Sequence, residues 1–342
     1  MILKRIYISM KILRILTGVS LICCILFTAT IGKNIIGKTE AITQSQEYKG
    51  IITMWQIDGF EGGTGSRKQF LLKVARGFEK ENNGVLIMVV DQTYQSATES
   101  IKNGKLPDLI SYSNGLESSN ILTEITPSKT IPSCQMGGKT YATAWCRGGY
   151  VLISNPELTQ EVIPNNEIDC LLVSQGEYTE PLTAIVMEGI KVKSVKVKKP
   201  MDAYVEFVAG KMPYFLGTQR DLVRLNNRGM NVNAYPLVGF NDLYQYVSVT
   251  STEQLKGVYA EKFIEYLISE KVQSKLTEIK MFSEYYKLNF DDEKYSALQS
   301  VKGFKSISAL SAPEQLKELQ RISALALSGE TDYINKIKNM LV

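Results

Sequence analysis

The sequence predicts an α/β fold, because strand-like apolar runs alternate with helical periodicity between Ile51 and Gly115. The length of 342 residues exceeds one typical domain and suits two. Hydrophobic residues make up 44% of the chain, which is enough for a sizeable core. We therefore expect an α/β body of two domains, in which helices connect parallel strands.

The first βαβ unit is predicted between residues 51 and 113. Its first strand, Ile51–Trp55, opens into a polar, Gly-rich loop, and Ser66 is the expected N-cap of the next helix. That helix carries an apolar stripe at helical spacing: Phe70, Leu71, Val74 and Phe78. The apolar run 85–90 predicts a strand covered on both faces. A short helix over 94–102 and a third strand over 107–113 complete the unit.

Polar and Gly residues follow the ends of the first and third of these strands. In open α/β sheets, ligands bind outside the carboxyl ends of parallel strands. The sequence therefore predicts a ligand site at this edge of the sheet.

The later elements are less regular. Paired glycines interrupt an extended segment over 137–155, which is suited to crossing between two lobes. A strand is predicted to end at Gly217, with Thr218 capping a helix. Residues 247–250 are extended, and an amphipathic helix is predicted over 253–277. Two helices close the chain, one beginning near Pro313 and the other at Thr331.

Histidine is absent from the whole chain. This excludes histidine acid/base catalysis, Ser-His-Asp and Cys-His arrangements, and the usual histidine-containing zinc sites. Carboxylate, Lys or Tyr chemistry remains open. We expect a protein that is not an enzyme and that needs no cofactor or metal.

The N-terminal 32 residues are predicted to be a signal peptide or an N-terminal membrane anchor. Four bases and no acid precede an uncharged apolar stretch over 15–32. Leu21-Ile22 before Cys23 does not fit a lipoprotein signal. Basic residues ahead of the span keep the N-terminus inside, so the body is expected on the extracellular face of the membrane, secreted or anchored. Residues 33–49 are expected to form a tether.

The net charge of +4 belongs entirely to this N-terminal segment. Lys and Arg total 39 against 35 Asp and Glu, and four of the bases and none of the acids lie in residues 1–32. The remaining 35 bases and 35 acids balance, which argues against a nucleic-acid partner. The Lys-rich run 191–199 is one local exception. It fits an edge strand protected by lysines or a contact with anionic polymers or lipid headgroups.

Five cysteines with irregular spacing do not form a disulfide framework. Cys134, Cys146 and Cys170 lie in the body. A Cys134–Cys146 bridge and a set of buried, inert thiols are the two alternatives that the sequence leaves open.

Three pieces of the first unit resemble bacterial extracellular solute-binding proteins of ATP-binding-cassette (ABC) importers, family 1, closest to the sugar-binding branch of Gram-positive type. They are the run Ile52–Arg67, the helix end Phe78-Glu79-Lys80, and the segment Leu106–Ser111. Further along, three segments are similar to the family's first crossover, a cleft-lining element and a late helix: Thr140–Asn155, Gly210–Asp221 and Phe263–Leu276.

The resemblance implies a two-lobed periplasmic-binding-protein-like clamp of type II, with a hinge of about three strands. By its order, lobe 1 comprises residues 50–147 plus 247–283. Lobe 2 comprises residues 148–246 plus 284–342. The stretch between Asn155 and Gly210 is short for the family, so the second lobe is expected to be abbreviated.

Sugar sites pair aromatic faces with planar polar groups. Trp55 and Trp145 are candidate platforms, with core packing as the alternative for each. The other candidate ligand contacts are Asp58, Glu61, Ser113, Asn114, Tyr150, Thr218, Arg220, Asn241 and Asp242. Turn, capping, hinge-packing or ion-pair roles are the alternatives for these residues.

Two patterns resemble phosphate sites but are interpreted otherwise. The Gly-rich run 59–66 lacks the Gly-Lys-Ser/Thr ending of a phosphate loop. Arg220, Arg224 and Arg228 share one helix face, which fits a solvated surface; a phosphate-bearing ligand is the less favoured alternative.

The sequence thus favours a monomeric receptor that binds an oligosaccharide between two lobes and delivers it to ABC permease subunits. One rival is a membrane-anchored accessory or sensor protein with a degenerate site. The other is a carboxylate-pair glycosidase using residues such as Asp58, Glu61 or Asp91.

Overall fold

The computed structural model describes residues 47–117, 120–159, 167–250, 253–327 and 329–342. The predicted export segment (1–32) and nearly all of the predicted tether (33–49) lie outside these residues. None of the helices in the described part is both long and apolar enough to span a membrane.

Twelve strands lie in the described residues. In chain order they are β1 Gly50–Ile57, β2 Val85–Gln92, β3 Leu109–Tyr112, β4 Gln135–Met136, β5 Lys139–Thr140, β6 Thr143–Arg147, β7 Tyr150–Ser154, β8 Glu167–Ser174, β9 Lys191–Lys198, β10 Tyr214–Thr218, β11 Asn233–Pro236 and β12 Tyr244–Val249.

Ten α-helices accompany them in the same residues. They are α1 Arg67–Glu81, α2 Tyr94–Lys102, α3 Pro181–Met187, α4 Pro200–Val208, α5 Gln219–Asn227, α6 Gln254–Leu267, α7 Glu270–Gln273, α8 Glu293–Ser300, α9 Pro313–Ala326 and α10 Thr331–Met340.

Two five-stranded sheets share one topology. Sheet 1 has the order β2-β1-β3-β12-β6, and sheet 2 has the order β9-β8-β10-β7-β11. In each sheet, three neighbouring strands are parallel and the fourth is antiparallel to them. This fourth strand, β12 in sheet 1 and β7 in sheet 2, is not the next strand in chain order. We call the body around sheet 1 lobe 1 and the body around sheet 2 lobe 2. The predicted two-lobed α/β clamp is thereby confirmed, and sheet 2 keeps all five strands despite the short 155–210 stretch.

The chain crosses between the sheets where the sequence places a flexible backbone. β6 passes to β7 through Gly148 and Gly149. The return runs through residues 237–243 into β12. β12 pairs with β6 from Tyr244 and with β3 from Tyr246, so the chain re-enters sheet 1 at Tyr244.

Capping residues set several helix starts as expected. The Ser66 side chain accepts a hydrogen bond from the backbone N–H of Gln69 at the start of α1. Thr218 caps α5 in a reciprocal pair with Asp221. The single helix predicted over 253–277 is wrong, because α6 ends at Leu267. The Ser269 hydroxyl donates to the carbonyl of Tyr266 at 2.6 Å, a local bond that competes with helix continuation.

Apolar packing is organised around both sheets. α1 lays Phe70, Leu71 and Phe78 against sheet 1, and α6 adds Phe263 to the same cluster. In lobe 2 a separate cluster joins Phe207 of α4 with Phe215 of β10. These packed layers fix the positions of the strand ends, and therefore of the loops that begin there.

Candidate functional site

Four strand ends converge on one cleft between the lobes. The loop after β1 lines it from sheet 1, and the segments after β8, β9 and β10 line it from sheet 2. The cleft has a volume of about 380 Å³, and both lobes supply its walls. This volume lies at the lower end of the range for small-molecule sites. The edge predicted from the sequence is therefore where the structure forms its interlobe cavity.

Glu61 connects the two walls of this cleft. Its carboxylate lies 3.3 Å from Nε of Arg220 and 3.1 Å from Nη2 of Arg224, both on α5 of lobe 2. The Glu61 side chain is 44% exposed, and that of Arg224 is 18% exposed. Two of the three arginines predicted to share a helix face are thus held by one carboxylate from the opposite lobe.

Arg67 fixes the Gly-rich loop on the lobe 1 side. Its Nε lies 2.7 Å from Oδ1 of Asp58, and Gln56 donates to the same oxygen at 2.7 Å. The guanidinium carbon stands 4.4 Å from the centre of the Phe60 ring. Asp58 keeps 56% of its side chain exposed at the cleft, so one face of this carboxylate is open to a ligand.

Two tyrosines stack across the lobes at the rim of the cleft. The rings of Tyr94 on α2 and Tyr178 after β8 are 3.8 Å apart and inclined by 16°. The Tyr94 hydroxyl donates to the carbonyl of Asn114 at 2.8 Å, and burial raises the pKa of this phenol. Gly115 has φ +90°, and a Cβ there would lie 2.5 Å from Tyr178. The stack therefore requires glycine at position 115.

A pair of buried carboxylates lies behind the cleft. Asp242 accepts from the Tyr150 hydroxyl at 2.6 Å and from the backbone N–H of Glu180 at 2.7 Å. Burial raises the pKa of Asp242 to about 6. Burial and then the Asp242 charge raise the pKa of Glu180 well above its ordinary value. These groups are fully enclosed, so they tie lobe 2 to the returning segment instead of facing a ligand.

The deep end of the cleft is almost filled by protein. Tyr150, Thr218 and Asp221 line a recess of about 20 Å³ there, which is room for roughly one water molecule. Burial raises the pKa of Asp221 to about 6. A ligand in this conformation would occupy the outer cleft, between Asp58, Glu61, Arg67 and Arg220.

Several residues predicted to contact ligand are placed elsewhere. Trp145 is fully buried, stacks on Phe70 at 5.7 Å, and donates from Nε1 to Ser111 at 2.9 Å. Trp55 is 9% exposed and belongs to the core cluster that includes Tyr94. The structure thus places both tryptophans in the core, where neither presents a face to the cleft.

The polar residues at the sheet 1 strand ends also have internal partners. Ser113 donates to Oε1 of Gln245 at 3.0 Å, and Asn114 donates to the carbonyl of Asp242 at 3.1 Å. Asn241 donates to the carbonyl of Gly148 at 3.3 Å. These three buried side chains lock the strand ends and the two crossing segments together.

Of the residues predicted to contact ligand, the structure brings Asp58, Glu61 and Arg220 together at the cleft. It adds Phe60, Arg67 and Tyr178, which were not among the predicted contacts. Tyr178 follows the apolar run 170–173 and a Gly-containing turn, the same pattern that marks the end of β1. A comparison of these two strand ends would therefore have identified Tyr178 as a candidate. The sequence around Arg67 indicates only that this residue begins a helix, and it does not indicate a place at the cleft.

Cys134, Cys146 and Cys170 are free thiols, so the Cys134–Cys146 bridge considered from the sequence is wrong. Burial raises the pKa of Cys134 to about 12. A thiol held in its neutral form is a poor nucleophile. Within the described residues, no cluster of three or more Cys, Asp or Glu side chains is arranged to hold a metal ion.

No protein-family model matches the chain, and no curated protein matches it in sequence. Solved structures do match. The GacH receptor of Streptomyces glaucescens, solved unliganded and with acarbose, aligns over 86% of this chain and 97% of its own at 14% identity and a TM-score of 0.54.

Two further structures match to a similar degree. The sugar-binding protein MalE from Xanthomonas citri aligns over 85% of this chain and 96% of its own, at 13% identity and a TM-score of 0.55. Iron-bound HitA from Pseudomonas aeruginosa aligns over 80% and 99%, at 13% identity and a TM-score of 0.53. With the shared order of the two sheets, these matches show that the chain has the two-lobed, type II periplasmic-binding-protein-like fold.

Proposed function

We propose that this protein is the extracellular solute-binding component of an ABC importer and that it binds a carbohydrate between its lobes. The observation that carries the proposal is the convergence of four strand ends, one from lobe 1 and three from lobe 2, on one cleft of about 380 Å³. A clamp of this kind binds by closing and needs no covalent chemistry. Solved structures with the same fold include a sugar-binding protein and a receptor complexed with acarbose.

The chemistry of the outer cleft supports a hydroxyl-rich, uncharged ligand. Asp58 and Glu61 accept hydrogen bonds, Arg220 donates them, and the ring of Tyr178 offers apolar surface. A sugar presents donors, acceptors and C–H faces together. Its delivery to permease subunits in the membrane is part of the proposal.

Titration calorimetry of the purified protein against a panel of oligosaccharides tests this function. We expect heat from at least one sugar and compaction of the protein in X-ray scattering when that sugar is added. Asp58→Asn should weaken binding about 10- to 100-fold, since a hydrogen bond to a charged group contributes about 1.5–3 kcal/mol.

Asp91→Asn is the matched control for this variant. Asp91 is also an ion-paired aspartate, 3.1 Å from Lys68, and its side chain is 60% exposed, but it does not line the cleft. It should leave the affinity unchanged. Binding of peptides or polyanions with no heat from any sugar would contradict the carbohydrate assignment.

A second candidate is an accessory or sensor protein whose cleft no longer takes a ligand. The Tyr94–Tyr178 stack and the ion pairs of Glu61 favour it, because the protein's own side chains bridge the cleft. Under this alternative, no solute produces compaction. The glycosidase reading gains no support, since arginines engage both Asp58 and Glu61.

A further inference from the structure

Four large apolar side chains form an exposed patch on lobe 1, at the end of sheet 1 opposite to the cleft. They are Ile51, Leu86, Met88 and Leu106, with exposed fractions of 50%, 53%, 47% and 43%. Ile51 pairs with Leu86 across β1 and β2. The register of β1 with β3, extended by three residues from Met54–Leu109, brings Leu106 beside Ile51. We call these four residues the strand-start patch.

The patch is uncovered because the helix on this face is short. α2 has nine residues and is therefore about 13 Å long, whereas β1 and β2 have eight residues each and extend about 26 Å. Tyr94 and Ala97 of α2 pack in the cluster that contains Trp55, toward the cleft end. α2 therefore does not cover the half of the sheet face that lies near the strand starts. Adjacent exposed apolar side chains of this kind mark an interaction surface.

Exposed lysines surround the same end of the lobe. Lys49 precedes β1, while Lys102 and Lys105 lie where α2 ends and the chain turns back toward β3. The start of a parallel strand and the end of the preceding helix meet at one edge of a sheet, so these lysines lie beside the patch. None of the three is ion-paired with another residue that the structure describes. Asp108 and Glu253 also lie near this end, but both pair with Lys256. The three lysines therefore outnumber Glu47 and Glu99, the exposed acids of these segments, by one.

The position of the patch in the chain indicates what covers it. β1 begins at Gly50, directly beside the patch, and the apolar stretch 15–32 precedes it in sequence. The 17 residues from 33 to 49 can extend to at most about 60 Å. If the apolar stretch is embedded in a bilayer, the tether therefore keeps the patch at high effective concentration near lipid.

We propose that the strand-start patch docks on a lipid surface that carries anionic headgroups. Apolar side chains enter the interface, and the three lysines contact the headgroups of an anionic surface. The strands run from the patch to the cleft, so docking places the cleft about 26 Å farther from the bilayer. The proposal is independent of which solute the cleft binds.

Brominated lipids test the proposal on the full-length chain in phosphatidylcholine vesicles with and without phosphatidylglycerol. Met88→Trp places a fluorophore in the patch, whereas the two native tryptophans are buried. We expect brominated lipid to quench this variant, and to quench it more in the vesicles that contain phosphatidylglycerol. Leu86→Trp reports from a second patch position if Met88→Trp does not fold by circular dichroism.

Met201→Trp is the matched control, since Met201 is 51% exposed on α4 of lobe 2, away from the patch. It should show only the quenching of the unsubstituted protein. Equal quenching at the patch and at position 201 would overturn the proposal, as would quenching that is indifferent to phosphatidylglycerol. Coverage of the patch by an added protein partner, and not by lipid, would also contradict the proposal.

Discussion

Glu61→Gln should open the clamp, because Glu61 alone bridges lobe 1 to both Arg220 and Arg224. Partly exposed ion pairs contribute about 0.2–1 kcal/mol each. Loss of two should therefore cost the closed form about 0.4–2 kcal/mol, a shift of about 2- to 30-fold in the ratio of closed to open molecules. The glutamine keeps the size of the side chain and removes only its charge.

X-ray scattering of the protein without added solute is the assay for this shift. We expect a larger radius of gyration for Glu61→Gln, with less of the difference remaining at high salt. Glu81→Gln is the control, since Glu81 is 50% exposed and pairs with Lys271 at 2.6 Å away from the cleft. An unchanged radius in Glu61→Gln, or an equal change in both variants, would refute the role of Glu61 as a bridge between lobes.

Three further predictions concern the buried groups. The pKa of Asp242 is raised from 3.8 to about 6, so the folded form holds the proton more tightly and this contribution, about 3 kcal/mol at most, is lost as pH rises through 6. Asp242→Asn should flatten the decline in unfolding free energy between pH 4 and pH 6 measured with urea; an unchanged slope would exclude Asp242 as its source. Gly115→Ala should lower the melting temperature more than Gly104→Ala, because both have positive φ but only the first meets Tyr178; equal losses would show that the stack is not what requires glycine. Trp145→Phe should destabilise by about 1–3 kcal/mol, because it removes the hydrogen bond to Ser111 and buried ring volume from the core, and should leave solute affinity unchanged in calorimetry; a loss of affinity at unchanged stability would show that Trp145 belongs to the site.

The fold was predictable because its strongest patterns are local. The apolar run 85–90 and the apolar stripe on α1 can each be recognised from the segment itself. The capping roles of Ser66 and Thr218 depend only on a few neighbouring residues. The topology of sheet 2 was harder to predict. Its strands alternate weakly, and β7 joins it in antiparallel order, a pairing that no local pattern encodes.

The site was predicted in location more than in detail. A strand end followed by Gly and polar residues identifies the edge of a sheet, which is why Asp58 and Glu61 were found. Whether an aromatic side chain faces the cleft or the core depends on packing from distant segments. Trp145 is enclosed by Phe70 of α1, 75 positions earlier in the chain, so its burial could not be inferred from its own neighbours.

A crystal structure of the protein with the sugar that gives heat in calorimetry tests the central claim most directly. We expect density for that sugar in the outer cleft, with Asp58 and Glu61 of lobe 1 and Arg220 of lobe 2 within hydrogen-bonding distance. Density for the sugar outside this cleft, or contacts confined to a single lobe, would contradict the claim that the protein is a clamp that closes on a solute.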